Sequence, residues 1–307
     1  MFRNVFIGVD GTSHGRDAIA LATVLAEPGA RLTLVHVQPG ATPAAAAGVD
    51  RSLVDPTYYA AGRGESDQLL EAEREATVVS AELVTVPGPS VGPALHAIAE
   101  QEQADLLVVG ACKHRLAGRI LIGDDTRASV NGATCPVGIA PDGYAAAAAP
   151  PATIGVGFDF SEESRAALEA ARDLAVRHRS KIIALDVVAA EPVGEYLSPF
   201  GEDPLDVLER HRARAEGGLA AIEEVDARAV TGVPCKTLAE FADHVDLLVV
   251  GSRTQSRLRR VMFGSTSLRL ARHVHHPMLV MPHATIGHAR PDLGGGATGT
   301  PTVGATP

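Results

Sequence analysis

The sequence predicts an α/β protein in which a doubly wound parallel sheet is built twice along one chain. Three observations lead there. The run ADLLVVG at 104–110 returns as VDLLVVG at 245–251, and each copy is followed, at one fixed spacing, by a second glycine, Gly123 or Gly264. Upstream, VFIGVDGT at 5–12 corresponds to IGVGFDFS at 154–161, each an apolar run that closes on an aspartate, Asp10 or Asp159. A repeat of about 140 residues is too long for a solenoid unit and suits a whole domain.

The elements follow in order. Short runs of branched apolar residues closed by Gly, Asp and Ser or Thr read as strands buried on both faces that break into loops. In the first half the pattern predicts a strand over 3–9, a helix over 15–26, a strand over 31–37 and a long irregular stretch from Gln38 to Gly64. A helix over 65–77, a strand over 80–86, a helix over 91–102 and a strand over 105–110 come next. A glycine-bounded loop, a helix over 125–132 and a strand over 136–140 complete it, and the second half repeats the order over 153–281. There, residues 165–177 (RAALEAARDLAVR) carry apolar side chains at three- and four-residue spacing, with Ser161 as the helix cap. Strand and helix in alternation imply parallel strands with helices on both faces, five strands in each half.

The predicted organisation is a first domain over 1–142, a linker over 143–152, a second domain over 153–283 and a disordered tail over 284–307. The linker is low in complexity and ends in a proline pair. The tail is rich in Gly, Thr and Pro, with almost nothing to bury.

Composition bounds the function. The 307 residues are 46% hydrophobic and 4% aromatic, which suits Ala, Val and Leu packing between helices and a sheet. The net charge is −10; residues 1–142 hold 10 basic and 17 acidic side chains, a balance of −7, and residues 151–283 hold 16 and 19, a balance of −3. Neither half carries the positive excess that a phosphate backbone requires, so nucleic acid is not an expected partner. Cys112, Cys135 and Cys235 are too few and too scattered for a disulfide framework, and no CxxC pair stands ready for zinc. With no signal-peptide pattern and no apolar stretch near the roughly 20 residues of a membrane span, the expectation is a cytoplasmic protein without a membrane partner.

In open sheets of this kind a ligand sits at the carboxyl ends of the strands, where the strand order reverses. The aspartate after strand 1 and the glycine loop after strand 4 both lie at carboxyl ends, so they flank one crevice if strands 1 and 4 are neighbours. In the second half that loop reads Gly251-Ser252-Arg253-Thr254, nine residues, then Gly264-Ser265-Thr266 before a helical pattern. Glycine admits a phosphate close to the backbone, and the amides and positive dipole end at the start of the next helix hold it.

In this frame the chain resembles the universal stress proteins, in their tandem, Rossmann-like form. The family's phosphate motif is Gly, two residues, Gly, nine residues, Gly, then Ser or Thr, with Cys-Pro-Val downstream; Cys135-Pro136-Val137 stands in that place. The resemblance covers nearly all of 1–283. It implies an ATP-binding site in which the aspartate after strand 1 and a valine near the end of strand 2 contact the adenosine part, while the glycine loop holds the phosphates. Carried over by position, these are Asp10, Val37, Gly110 and Gly123 in the first half, and Asp159, Val187, Gly251, Gly264, Ser265 and Thr266 in the second. It also implies pairing through the last strand of each domain, 137–140 against 278–281, which would make the chain an intramolecular pseudo-dimer.

The chain departs from the motif in both halves. The middle glycine is Lys113 in the first and Thr254 in the second, and Asp186 replaces the His that precedes the valine, kept as His36. Gly123 is followed by Asp124 and Asp125. A carboxylate about 5 Å from a phosphate charge, at an effective dielectric near 20, repels by roughly 3 kcal/mol. Affinity then falls about a hundredfold, unless Lys113 compensates or an Asp124- or Asp125-bound Mg²⁺ bridges to phosphate. The second half keeps Ser265 and clusters Arg253, Arg257, Arg259 and Arg260, so it is the expected seat of the nucleotide. Gly251 and Gly264 serve turns as readily as phosphate.

Other readings are weaker. His273, His275, His276, His283 and His288 span a helix end, a strand and the tail without converging, so no metal site is expected. Cys112 beside Lys113 and His114 lacks an acid or base partner for a reactive thiol. No GxxxxGK, GxGxxG, GxSxG or HExxH occurs. The expected function is a stress-response sensor that binds an adenine nucleotide and an unidentified protein partner, not an enzyme, with a slow ATPase as the outside reading. A homo-oligomer is compatible with it. The alternative is a nucleotide-free interaction module whose loops have drifted past binding.

Overall fold

The computed structural model describes residues 1–39, 56–111, 113–116, 119–122, 128–129, 131–189, 204–220, 222–252, 270 and 275–282. The first half runs β1 (Asn4–Gly8), α1 (Ser13–Leu25), β2 (Arg31–Pro39), α2 (Pro56–Thr77), β3 (Glu82–Gly88), α3 (Val91–Gln101), β4 (Leu106–Gly110), β5 (Lys113–Leu116), β6 (Arg119–Ile122) and β7 (Val137–Ala140). A short 3-10 turn, Tyr144–Ala146, leads to the second half. That half runs β8 (Thr153–Gly157), α4 (Glu162–His178), β9 (Lys181–Ala189), α5 (Pro204–Leu219), β10 (Asp226–Gly232), α6 (Pro234–Ala242), β11 (Leu247–Gly251) and β12 (Met278–Met281).

Ten strands form one sheet in the order β10-β9-β8-β11-β12-β7-β4-β1-β2-β3. Within each half every pairing in this sheet is parallel, and β7 meets β12 antiparallel, with Met278 opposite Ile139 and Val280 opposite Val137. Strands 1 and 4 of each half are therefore neighbours: Val5 faces Leu106 and Ile154 faces Leu247. Each half reverses its strand order at that boundary, the place where doubly wound sheets bind ligands.

The core lies on both faces of the sheet. Side chains of α1, α2, α4 and α5 cover one face, with Leu21, Leu25, Leu70 and Leu174 within it, while Leu95 and Ala99 of α3 and Leu238 and Ala242 of α6 cover the other. Strand alternation carries both layers through the central seam. Val137, Ile139, Met278 and Val280 point to the α3/α6 face, and Ala140, Leu279 and Met281 to the α1/α4 face.

Helix starts are capped as the sequence requires. Thr12 accepts from the His14 N–H at 3.2 Å, and Ser161 from the Ser164 N–H at 3.1 Å. The repeated aspartates of 104–110 and 245–251 act at the opposite end of the strands. Asp105 accepts from the Arg3 and Asn4 N–H groups at 2.7 and 3.0 Å, and Asp246 from Ala152 and Thr153 at 2.9 and 2.8 Å, so each ties the start of strand 4 to the start of strand 1. The end of α4 reaches the end of α1, where Arg177 donates to the Leu25 and Ala26 carbonyls and the His178 Nε2 lies 3.0 Å from the Val24 carbonyl. Basic side chains thus satisfy carbonyls that a helix leaves open at its C-terminus.

Three expectations are corrected. The stretch read as irregular over 38–64 is helical from Pro56, which includes Tyr58 and Tyr59; Pro56 opens α2, where a missing N–H costs nothing. The glycine-bounded loop contains an antiparallel pair, β5 with β6. Strand β3 runs over 82–88 rather than 80–86. Of the helix expected over 125–132, residues 128 and 129 are helical and 125–127 and 130 lie outside the described residues, as do 40–55 and the expected tail.

Gly110 and Gly251, closing β4 and β11, sit under the first turn of the leading helix of their own half, α1 and α4. A Cβ on Gly110 would lie 2.2 Å from the His14 carbonyl oxygen, and one on Gly251 would lie 2.6 Å from the Glu163 Cβ. Backbone is the obstacle at Gly110, so a side chain there forces α1 away from the sheet. Gly110→Ala is expected to cost about 1–3 kcal/mol in chemical denaturation. Gly64→Ala, at a helical glycine whose added Cβ meets nothing within 4 Å, should leave stability equal or higher.

Candidate functional site

Each half opens a cleft at the carboxyl ends of its first and fourth strands. The first is lined by Gly8, Val9, Asp10, His14, Gly15, Val35, His36, Val37, Val91, Leu95, Val109, Gly110 and Ser129 and measures about 110 Å³. The second is lined by Gly157, Phe158, Asp159, Ser161, Glu163, Ser164, Leu185, Asp186, Val187, Pro234, Leu238, Val250, Gly251, Ser252 and Leu270 and measures about 70 Å³. Asp10, Val37 and Gly110 meet in the first, and Asp159, Val187 and Gly251 in the second. Gly123, Gly264, Ser265 and Thr266 lie outside the described residues, as do Thr254, Asp124, Asp125 and the arginines at 253, 257, 259 and 260.

The local backbone explains why the aspartates sit where they do. Asp10 Oδ1 accepts from the Thr12 N–H at 3.0 Å and the Thr12 hydroxyl at 2.7 Å, and Asp159 Oδ1 accepts the same two groups of Ser161 at 3.2 and 2.5 Å. Each aspartate closes a turn two residues wide between strand 1 and the helix cap. The residue between has positive φ: Gly11 at 76° in the first half, Phe160 at 63° in the second. A non-glycine residue is strained there, and Phe160 is held by an edge-on contact with Phe158 at 5.0 Å between centroids.

Charge separates the two clefts. In the first, His36 Nδ1 lies 3.0 Å from the Val9 carbonyl oxygen, joining the ends of β2 and β1. Asp186 occupies the same place in the second half and cannot donate to a carbonyl when ionised. Instead it adds a third carboxylate to Asp159 and Glu163 in that cleft. Burial first, and then the Asp159 charge, push the Asp186 carboxyl above the usual carboxylate range, against one bond from the Val187 backbone.

A second difference lies one residue past the strand-end glycine. Ala111 in the first half becomes Ser252 in the second, and both donate their N–H to the end of the last strand, at 2.8 Å to the Ala140 and Met281 carbonyls. Ser252 is 0% exposed and lines the second cleft, and its Oγ has no hydrogen-bond partner among the described residues. In sequence Ser252 is one residue of the loop motif without a role of its own; the fold buries its hydroxyl and leaves it unsatisfied among the described residues.

Of the cysteines, Cys135 is buried and its thiol is pushed up to about 12 by that burial, so it is no nucleophile at neutral pH. Cys112 lies outside the described residues. Among the described residues, no helix is long and apolar enough to cross a membrane.

Residues 1–141 and 152–282 each match the universal stress protein family model. The chain belongs to the universal stress protein family. Two curated members match one half-length segment each. A universal stress protein of Thermus aquaticus, encoded in the 3′ region of a sulfhydrylase gene, is 30% identical over 135 residues, 42% of this chain and 97% of its own. Another, from Methanocaldococcus jannaschii, is 26% identical over 137 residues, 40% of this chain and 77% of its own. The crystal structure of a universal stress protein from Archaeoglobus fulgidus covers 91% of this chain and 98% of its own, at a TM-score of 0.62 and 17% identity, a likeness of fold.

The raised Asp186 pKa sets a pH dependence. A carboxyl whose folded-state pKa lies above its unfolded value destabilises the fold once ionised, and the penalty is relieved as pH falls through the folded pKa towards the ordinary value of about 3.9. Asp186→Asn should therefore raise Tm at pH 8 and lose that advantage near pH 4, as paired thermal melts at the two pH values would report.

Proposed function

We propose that this family member binds an adenine nucleotide, ATP with or without Mg²⁺, in the crevice between strands 1 and 4, and serves as a stress-response sensor rather than as an enzyme. The observation that carries this reading is the convergence, in each half, of the strand-1 aspartate, the strand-2 valine and the strand-4 glycine on one cleft at the reversal of strand order. The cleft floors are apolar, with Val35, Val37, Leu95 and Val109 in one and Leu185, Val187, Leu238 and Val250 in the other, which suits the face of a base. Their volumes fall below the roughly 300 Å³ of sites that enclose a whole drug-sized ligand. Each cleft therefore seats a ring and leaves a phosphate chain to run outward over the glycine loop.

The residues of the second half fit such a ligand through Ser252, whose buried hydroxyl lacks a partner until a polar group enters. With the Gly264-Ser265-Thr266 sequence, this favours the second half as the main seat. In that arrangement Asp159 and Val187 hold the adenosine part and Gly251, Gly264, Ser265 and Thr266 the phosphates. When bound, Mg²⁺ would neutralise phosphate charge. One observation favours the first half instead: its cleft presents a single carboxylate, Asp10, and two histidines, whereas the second presents Asp159, Glu163 and Asp186. The antiparallel seam of β7 and β12 supports reading the two halves as a built-in pair, with both crevices on one molecule.

The test begins with the ultraviolet spectrum and mass of whatever heat releases from the purified protein, followed by Mg-ATP titration of wild type, Asp159→Ala and Asp10→Ala, with melts as folding controls. Adenine in the released fraction and an affinity loss of at least about tenfold, or 1.4 kcal/mol, in Asp159→Ala are expected. A loss confined to Asp10→Ala would move the seat to the first half. No released nucleotide and no thermal shift at millimolar ATP would contradict binding in either.

A further inference from the structure

We propose a first-row divalent cation site, of the Zn²⁺ class, formed by His14, Asp17 and Asp142 where α1 begins and β7 ends. One ligand atom from each of the three lies within 4.8 Å of the others. The set is mixed, one imidazole nitrogen and two carboxylates, which matches the donor preferences of such ions. The cluster stands apart from the proposed nucleotide seat in the second half.

Two features separate this cluster from a chance meeting of polar surface groups. His14 Nδ1 is buried and has no hydrogen-bond partner among the described residues. The nearest carboxylate oxygen, Asp142 Oδ1, is 3.7 Å away, too far for a hydrogen bond but within the roughly 3–4 Å that separates two ligands each about 2.1 Å from one ion. A lone pair buried without a donor is costly, and a cation relieves it. Asp17 is 2% exposed, and its two carboxylate oxygens accept from the Gly143 and Ala145 N–H groups at 2.9 and 2.7 Å. The remaining lone pairs of that carboxylate are thereby held in a fixed direction, as outer hydrogen bonds orient metal ligands elsewhere.

The fold itself does not demand the cluster. In the second half Glu163 and Ala166 stand at the positions of His14 and Asp17, counted from Asp159 as from Asp10. The trio is specific to the first half, and it joins two stretches far apart in sequence: the start of α1 and the turn that Asp142 opens after β7. His14 also borders the first cleft, so an ion there would tie that cleft to the passage between the halves. A protonated His14 paired with Asp142 is the competing account, and it predicts no bound metal.

The experiment uses the full chain, stripped with a chelator and dialysed against Zn²⁺, because the chain's twelve histidines set a background that only variants can subtract. His14→Gln and Asp142→Asn are compared with wild type, Asp142 being half-exposed and so tolerant of change. Wild type is expected to hold one Zn²⁺ more per chain than either variant, and to give visible Co²⁺ ligand-field absorption that both variants lose while keeping native circular dichroism. X-ray absorption of the Zn²⁺-loaded wild type, which needs no variant, should show a mixed nitrogen and oxygen shell with an imidazole contribution. Equal Zn²⁺ counts in wild type and variants, or a wild-type shell without imidazole, would overturn the site.

Discussion

The seating of a helix's first turn on a bare strand end governs the architecture of both halves. Gly110 and Gly251 let the backbone of α1 and α4 come down onto β4 and β11 to a distance that no side chain permits. That approach brings the capped helix start, the aspartate turn and the strand-4 terminus into one place. The buried strand centres behind them, Ile7 and Val108 in one half and Val156 and Val249 in the other, lock the same geometry from below. A crevice at the reversal of strand order is the consequence, twice over.

On this shared backbone the halves have diverged in chemistry. His36 bridges two strand ends, where Asp186 instead raises the negative charge of its cleft. Gly11 adopts positive φ without strain, where Phe160 needs Phe158 to hold it. Ala111 fills its place with a methyl group, where Ser252 leaves a buried hydroxyl open. One fold thus carries two unlike crevices, and the seam of β7 against β12 keeps them on one continuous sheet. Duplication within a chain lets each copy change without altering the other, which a dimer of identical subunits does not.

Much of this was legible in the residues. The recurrence of LLVVG and the alternation of strand and helix pointed to a parallel sheet in each half, because runs buried on both faces leave a signal that period and length alone can read. The adjacency of strands 1 and 4, on which the shared crevice depends, is given by the pairing of β1 with β4 and of β8 with β11. Other features left no such trace. The aspartates of the repeated runs, Asp105 and Asp246, read as part of the strand motif, yet they tie strand starts together through backbone N–H groups about 100 residues away in sequence. The start of α2 was hidden by Pro56, Gly62 and Gly64, residues that usually punctuate helices. Asp142 lies more than 120 residues from His14 and Asp17, and no spacing rule connects it to them before the chain is folded.

An adenine nucleotide seated in the crevice between strands 1 and 4, as proposed, lies against the backbone of both strand ends. Backbone amide resonances report this most directly, since they move when a ligand lies against them. On adding Mg-ATP, the account predicts shifts confined to the amides around Asp159, Val187 and Gly251, with weaker ones around Asp10, Val37 and Gly110. Shifts centred on other surfaces, or none at millimolar nucleotide, would contradict it.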